Sequence, residues 1–323
     1  MSQPALVMAE GLGKQFASRG LFRRGQAVQA VKDVSLSIPR GQAVGVVGES
    51  GSGKSTLGRL LLGLLAPSQG SVRFDGAPMP APGSRAFRAL RRRMQIVFQD
   101  PYGSLDPRRR VGAQIADGLV IHHLATADER RARVAALLEL VGLDPGQAVR
   151  FPHEFSGGQR QRVGLARALA TSPDFLVADE PVSALDVSIQ AQIIGVMDDL
   201  RRRLGLAMVF ISHDLPVVRH LCDRVVVMYL GRVMEEGGAE QLFQDPAHPY
   251  TRALLSATPM LDPARRAQRI LLPGDPPSPT APPSGCVFRT RCAHAVAACE
   301  GAVPPLRVIG DGRRVACSRT DLA

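Results

Sequence analysis

Gly48-Glu49-Ser50-Gly51-Ser52-Gly53-Lys54-Ser55-Thr56 follows the apolar run Ala43–Val47 and precedes the apolar stretch Leu57–Leu65. The order is strand, glycine-rich loop, helix, and the spacing is G-x-x-x-x-G-K-S. Each part answers a need of polyphosphate binding. Glycines let successive backbone N–H groups turn inward around phosphate oxygens, and the helix start adds the positive end of its dipole. Lys54 has the reach for the β- and γ-phosphates, and the Ser55 hydroxyl is placed to ligate Mg²⁺. A glycine turn before a helix is common, but one that continues Lys-Ser in this setting is specific. Gly48, Ser50, Gly51, Ser52, Gly53, Lys54, Ser55 and Thr56 are therefore read as an ATP-binding P-loop.

Such a site also needs carboxylates. The apolar run Phe175–Ala178 ends in Asp179-Glu180, a Walker B pattern. Asp179 is placed to hold Mg²⁺, and Glu180 to face a water in line with the γ-phosphate. Further buried-strand runs are Gln95–Phe98, Ala207–Ser212 and Arg224–Leu230. Short apolar runs alternating with helical patterns predict βαβ units and a mostly parallel sheet. Between the second and third runs no strand-like segment occurs. A helix is predicted from Thr126, where Thr126 and Glu129 have capping-box spacing and Val134, Leu137, Leu138 and Val141 share one face. After about Gly237 proline crowds the chain, and four of the five cysteines follow, which predicts a separate C-terminal module rather than more sheet.

Composition narrows the function classes. The chain of 323 residues has no Trp and three Tyr, which disfavours a nucleic-acid platform of stacked aromatics. No apolar run approaches the roughly 18 residues of a membrane span, and the first ten residues lack the order of a signal peptide, so a cytosolic protein is expected. The formal charge of +11 collects at Arg91–Arg93, Arg108–Arg110 and Arg201–Arg203. Solvated helix faces and an anionic partner explain these clusters equally well.

Between the two nucleotide elements stands Phe155-Ser156-Gly157-Gly158-Gln159-Arg160-Gln161-Arg162. Its S-G-G-Q core resembles the signature of ABC ATPases, and a serine hydroxyl with glycine N–H groups at a helix start is again an anion site. The resemblance implies that Ser156, Gly157, Gly158 and Gln159 bind the γ-phosphate of ATP held by an opposite subunit, so the chain works as a dimer. Other family motifs follow in order. Gln99 looks like the Q-loop glutamine that contacts Mg²⁺ and the membrane subunits. Ser183 and Asp186, in Ser-Ala-Leu-Asp, match the D-loop, and His213, in Ile-Ser-His-Asp, matches the switch histidine. Phe16 stands where the family places an aromatic against adenine, with Phe22 as a rival. The implied fold is α/β: a P-loop NTPase with a RecA-like, mostly parallel sheet and an N-terminal antiparallel β part. A helical subdomain is inserted at about 101–165. The nucleotide-binding domain spans 1–237 and a small cysteine-containing extension spans 238–323.

Two further strings, Gln99-Asp100-Pro101-Tyr102-Gly103-Ser104-Leu105-Asp106-Pro107 and Pro152-His153-Glu154-Phe155-Ser156, resemble oligopeptide and dipeptide permease ATPases. So do His248-Pro249-Tyr250-Thr251-Arg252-Ala253-Leu254-Leu255 and Leu272-Pro273-Gly274-Asp275-Pro276-Pro277, with the second, F-type, ATPase subunit most similar. The resemblance implies ATP-driven import of peptides or a related solute, at the cytoplasmic face of the bacterial inner membrane. The implied partners are a second ATPase subunit, identical or not, two transmembrane permease subunits and an extracytoplasmic solute-binding protein. A soluble ABC ATPase acting on nucleic acid or the ribosome is the alternative, though no nucleic-acid partner is expected. Cys286, Cys292, Cys299 and Cys317 are four clustered thiols in a chain expected to be cytosolic, which favours a metal over disulfides. Four thiolates suit Zn²⁺ or a 4Fe–4S cluster, and the resemblance favours the cluster.

Overall fold

The computed structural model describes residues 4–17, 27–100, 103–183, 185–257, 270–310, 312–319 and 321. Phe22, Pro101, Tyr102 and Ala184 lie outside the described residues. In chain order, β1 (Ala5–Phe16), β2 (Val28–Pro39) and β3 (Ala43–Val47) precede α1 (Lys54–Leu61), β4 (Gln69–Phe74) and β5 (Ala77–Pro78). Next come α2 (Arg85–Arg93), β6 (Met94–Val97), α3 (Val111–Ile121), α4 (Ala127–Leu140), α5 (Gly157–Leu169), β7 (Phe175–Asp179), α6 (Val187–Leu204) and β8 (Ala207–Ile211). The chain continues through α7 (Leu215–Leu221), β9 (Arg224–Tyr229), β10 (Arg232–Gly238), α8 (Ala239–Gln244), α9 (Pro249–Ser256), β11 (Arg307–Val308) and β12 (Arg314–Val315). No helix among the described residues is long and apolar enough to cross a membrane.

Two compact units emerge from the contacts. The first comprises Met1–Val7, Ile38–Gln42 and Phe74–Ile211. Its strands β6, β7 and β8 are parallel, with Ile96 opposite Val177 and Val177 opposite Val209. Residues of β7 and β8 are buried throughout, as expected of central parallel strands whose two faces are both covered. The helices α3, α4 and α5 occupy the chain between β6 and β7. Thr126 begins α4 with a reciprocal capping box: its backbone N–H donates to the Glu129 carboxylate at 2.8 Å, and its hydroxyl accepts from Glu129 N at 3.4 Å. Two backbone groups at the helix start are satisfied in this way, which is what the spacing predicts.

The second unit comprises Met8–Ser37, Ala43–Arg73 and Ser212–Ala323. β3 runs parallel to β9, with Val44 opposite Arg224 and Val47 opposite Val227. Helix α7 presses onto β3 at Gly45, where a Cβ would lie 2.5 Å from Val218 Cγ1. β9 turns into antiparallel β10 through Leu230 and Gly231, both at positive φ (44° and 78°), the tight turn that suits strand twist.

The tail corrects one expectation, because it does extend the sheet. β12 pairs antiparallel with β10, Glu235 opposite Val315, and β11 pairs with β12. Beyond the ladder, Ala316 N donates to Met234 O at 2.8 Å. The physical reason is the flank of β10, whose backbone groups need partners when buried. Strands of two residues have no periodicity to read.

Glu235, fully buried on β10, accepts N–H bonds from Ala247 and His248 at 2.9 Å each and so holds the start of α9. His248 caps α9, its Nδ1 accepting from Tyr250 N at 3.0 Å. Burial lowers the His248 pKa to about 4 and raises that of Glu235. A histidine kept neutral in the fold binds its proton only on unfolding. Its contribution therefore falls as pH drops from about 6.5 toward 4, by about 1.4 kcal/mol per pH unit. Glu235 acts with the opposite sign, so the difference between wild type and His248→Asn isolates the histidine. Urea unfolding at pH 7.5 and pH 5 is expected to show a smaller acid loss in His248→Asn. An equal loss in both proteins would remove His248 from this role.

Candidate functional site

The glycine-rich loop lies in the second unit and is held by backbone on several sides. Gly53 sits at φ 100° as the N-cap of α1, and a Cβ there would lie 2.1 Å from Ala30 O. Gly48 is equally confined, with a Cβ 2.1 Å from Met228 O. The turn after β9 braces the loop: Gly231 N donates to Ser52 O at 2.9 Å, and Gly231 O accepts from Lys32 N at 2.8 Å. Lys54 is buried and donates from Nζ to Gly48 O at 2.8 Å and Glu49 O at 2.9 Å. Ser52 Oγ is buried without a hydrogen-bond partner. A cradle of constrained amides, an ammonium and a spare hydroxyl suits a phosphate group. Ser50 and Gly51 are at the exposed turn of the loop, while Ser55 and Thr56 lie half-buried in the first turn of α1.

His213 also belongs to this unit and is exposed. Its neighbours are anchored: Ser212 N donates to Val46 O at 3.3 Å, Asp214 N to Ser212 Oγ at 2.9 Å, and Asp214 caps α7 through Val217 N. Phe16 ends β1 with its ring 40% exposed, the Lys14 ammonium lying 5.4 Å from the ring centroid.

The first unit assembles the acidic elements. Asp179 ends β7 buried, paired in register with Ile211 of β8. Glu180 follows at φ 48°, a left-handed conformation that is strained for a side-chain-bearing residue. It is locked there because Glu180 N donates to Ile211 O at 2.9 Å and Glu180 O accepts from Ser183 Oγ at 3.1 Å. Gln99 Nε2 donates to the Glu180 carboxylate at 3.0 Å. Three residues read separately from the sequence, Gln99, Glu180 and Ser183, are thus in one hydrogen-bonded group. Asp186 is the N-cap of α6 without a side-chain cap bond.

The S-G-G-Q segment also caps the helix that it starts, a role not assigned to it from the sequence. Ser156 Oγ accepts from Gln159 N at 3.3 Å, and Ser156 N donates to Gln159 Oε1 at 3.0 Å, a capping box that starts α5. At Gly158 a Cβ would lie 2.3 Å from Ile189 Cγ2, so α5 and α6 meet where only hydrogen fits. Sequence reasoning missed Gln114. It is buried on α3, donates to Asp106 O at 3.0 Å and Arg109 O at 2.9 Å, and accepts from Asp106 N, pinning the loop before α3. No motif marks it, because a lone glutamine gains this role only from its burial.

Several arginines of the basic clusters prove to be paired. Arg93 bridges Asp75 and Asp174, Arg109 meets Asp117, and Arg201 and Arg202 share Asp198. The cysteine expectation finds no support in the structure. Cys286, Cys292, Cys299 and Cys317 are free thiols, and among the described residues no three His, Cys, Asp or Glu side chains form a group that could hold a metal ion. Burial raises the pKa of Cys286, Cys292 and Cys317, and for each of them at least one neighbouring cysteine adds to the rise.

Residues 31–183 match the ABC transporter family model, and residues 234–299 match the oligopeptide/dipeptide transporter C-terminal region. A putative peptide import ATP-binding protein of Brucella ovis is 52% identical, with both chains covered completely. The dipeptide transport ATP-binding protein DppF of Escherichia coli is 47% identical, covering 99% of this chain and 96% of the relative. Among solved structures, cbiO1 from Clostridium perfringens, part of an ABC transporter complex, matches with a TM-score of 0.65 and 31% identity, over 75% of this chain and 92% of its own. A dimeric ATP-binding cassette bound to ADP and phosphate matches with a TM-score of 0.65 and 30% identity, over 72% of this chain and 98% of its own.

Gly53→Ala tests the cradle. Its Cβ cannot avoid Ala30 O, which is backbone, and its φ is strained for alanine. A loss of at least about 2 kcal/mol of stability, with loss of ATP binding in the folded fraction, is expected. Wild-type melting and ATP affinity in this variant would show that the loop is not confined as described.

Proposed function

The chain belongs to the ATP-hydrolysing subunits of the ABC transporter family, and from that premise we propose that it powers import of di- and oligopeptides or a closely related solute. The observation that carries this reading is identity of 47–52% to peptide and dipeptide import ATP-binding proteins over almost the whole chain, tail included. The nucleic-acid alternative has no comparable support, and the paired arginines weaken the argument from charge.

In this reading the backbone N–H groups of Gly48–Thr56 and the Lys54 ammonium bind the phosphates. Lys54 exchanges its bonds to Gly48 O and Glu49 O for phosphate oxygens. Phe16 offers its exposed ring to the adenine. Ser55, Gln99 and Asp179 would hold Mg²⁺, which when bound neutralises charge on the transferring phosphoryl group. Glu180 orients the attacking water and takes its proton, and Gln99, already bonded to that carboxylate, fixes its direction. His213 donates to the γ-phosphate, and the loop amides stabilise the charge that develops on it. Ser156, Gly157, Gly158 and Gln159 serve the nucleotide of a second subunit, with Ser183 and Asp186 beside that junction. The capping box supports this role, since it orients the first turn of α5 and leaves its forward N–H groups to face an anion.

The remaining partners in this proposal are two membrane subunits and an external solute-binding protein, with the chain peripheral at the cytoplasmic face of the bacterial inner membrane. A groove of about 510 Å³ along α3 and α4, lined by Ala113, Ala116, Val134 and Val149, supports a docking face for a membrane subunit. Val149 and Ile121 of the same helical region are each 60% exposed. Glu180→Gln is expected to keep ATP affinity within about threefold while lowering turnover by at least about 100-fold, and to accumulate an ATP-dependent dimer. Turnover near wild type in single-cycle assays would remove Glu180 from the role. Uptake of labelled dipeptide by the reconstituted complex tests the substrate class, and ATP-driven uptake of some other solute alone would refute it.

A further inference from the structure

Glu49 is the second residue of the glycine-rich loop, and the phosphate-binding reading gives it no task. A carboxylate in a loop built to receive polyphosphate carries the wrong sign for its place. The structure nevertheless holds it at every polar group it has. Glu49 N donates to Tyr250 Oη at 2.9 Å, and Glu49 O accepts from Lys54 Nζ at 2.9 Å. Its carboxylate accepts from Arg291 Nη1 at 3.0 Å through Oε1 and 2.8 Å through Oε2. Both Tyr250 and Arg291 come from the C-terminal extension, over 200 residues away in the chain: the separations are 201 and 242.

These partners are themselves rigid. Arg291 is only 8% exposed, and its Nη1 also reaches Tyr229 Oη at 3.4 Å. Tyr250 packs against Tyr229 and Phe288 with ring centroids 4.7 Å and 5.2 Å apart, and all three rings are buried. The backbone around Arg291 is closed locally, with Arg289 N donating to Cys286 O at 3.1 Å, Arg291 N to Phe288 O at 3.0 Å, and Cys286 N to Cys299 O at 2.8 Å. An almost buried guanidinium facing one carboxylate is a defined pair, unlike a surface ion pair that exchanges partners with water.

We propose that Arg291 is a positioning residue for the ATP site: it neutralises Glu49 and, with Tyr250, sets the direction of the loop. The C-terminal extension would then be a working part of the nucleotide site. This rests on the reading of Gly48–Thr56 as the ATP phosphate loop. The arrangement makes a sharp electrostatic forecast. Removing Arg291 alone leaves a carboxylate that repels ATP. Removing both charges relieves the repulsion. A purely structural role forecasts that the double variant is at least as impaired as the single one.

The test is Mg·ATP affinity of the full chain, measured together with its melting transition. Arg291→Gln is expected to weaken binding about tenfold at low salt and by less at 0.5 M salt, where screening shortens the reach of the Glu49 charge. Glu49→Gln combined with Arg291→Gln is expected to return within about threefold of wild type. Wild-type affinity in Arg291→Gln, or no recovery in the double variant, would overturn the proposal. Should Arg291→Gln lack a melting transition, Arg291→Lys serves instead. It keeps the charge, which Arg291 presents to both Glu49 oxygens through Nη1 alone, so affinity within about threefold of wild type is expected, and a loss of tenfold or more that 0.5 M salt leaves unchanged would overturn the proposal. Lys54→Ala checks the premise separately, because undiminished ATP binding there would displace the loop reading itself.

Discussion

A loop that binds phosphate with its amides has to be rigid before the ligand arrives, because amides that must first be oriented lose much of their binding energy in ordering. Here that rigidity comes from backbone meeting backbone. Ala30 O stands against Gly53, Met228 O against Gly48, and Gly231 is bonded to both Ser52 and Lys32. None of these contacts depends on a side chain that could change rotamer. The second strand and the turn after β9 are, in effect, the walls of the mould in which the loop is cast.

The same economy recurs in the first unit. The left-handed Glu180 would be costly anywhere else, and it is tolerated because Ile211 O and Ser183 Oγ hold its backbone. The S-G-G-Q segment combines two tasks that physical chemistry keeps compatible. Serine and glutamine side chains close the capping box sideways, while Gly158 brings α5 within touch of Ile189. In the proposed reading, anion binding and helix initiation use different atoms of the same residues.

The tail is where local reading and tertiary packing part company. Proline-rich composition and cysteine clustering mark it off in the sequence. What they cannot convey is that β12 joins β10, that Glu235 anchors α9, and that Arg291 reaches Glu49. Cysteine spacing conveys less still. Ligand geometry depends on where four sulfurs lie in space, and chain separation constrains that only weakly in a segment with little regular structure.

By itself the sequence determined the α/β class, the strands β3, β7, β8 and β9 to within one residue, the α4 cap and the ordered series of nucleotide motifs. Those features are local: strand burial, helix capping and glycine spacing act over a few residues and leave their pattern in the chain. Tertiary structure alone decided that Gln99 bonds Glu180, that Gln114 pins its loop, and that an arginine 242 residues away neutralises the one carboxylate of the glycine-rich loop. Such pairs obey no period, since any arginine and any glutamate in the chain are chemically alike until folding selects which two are buried together.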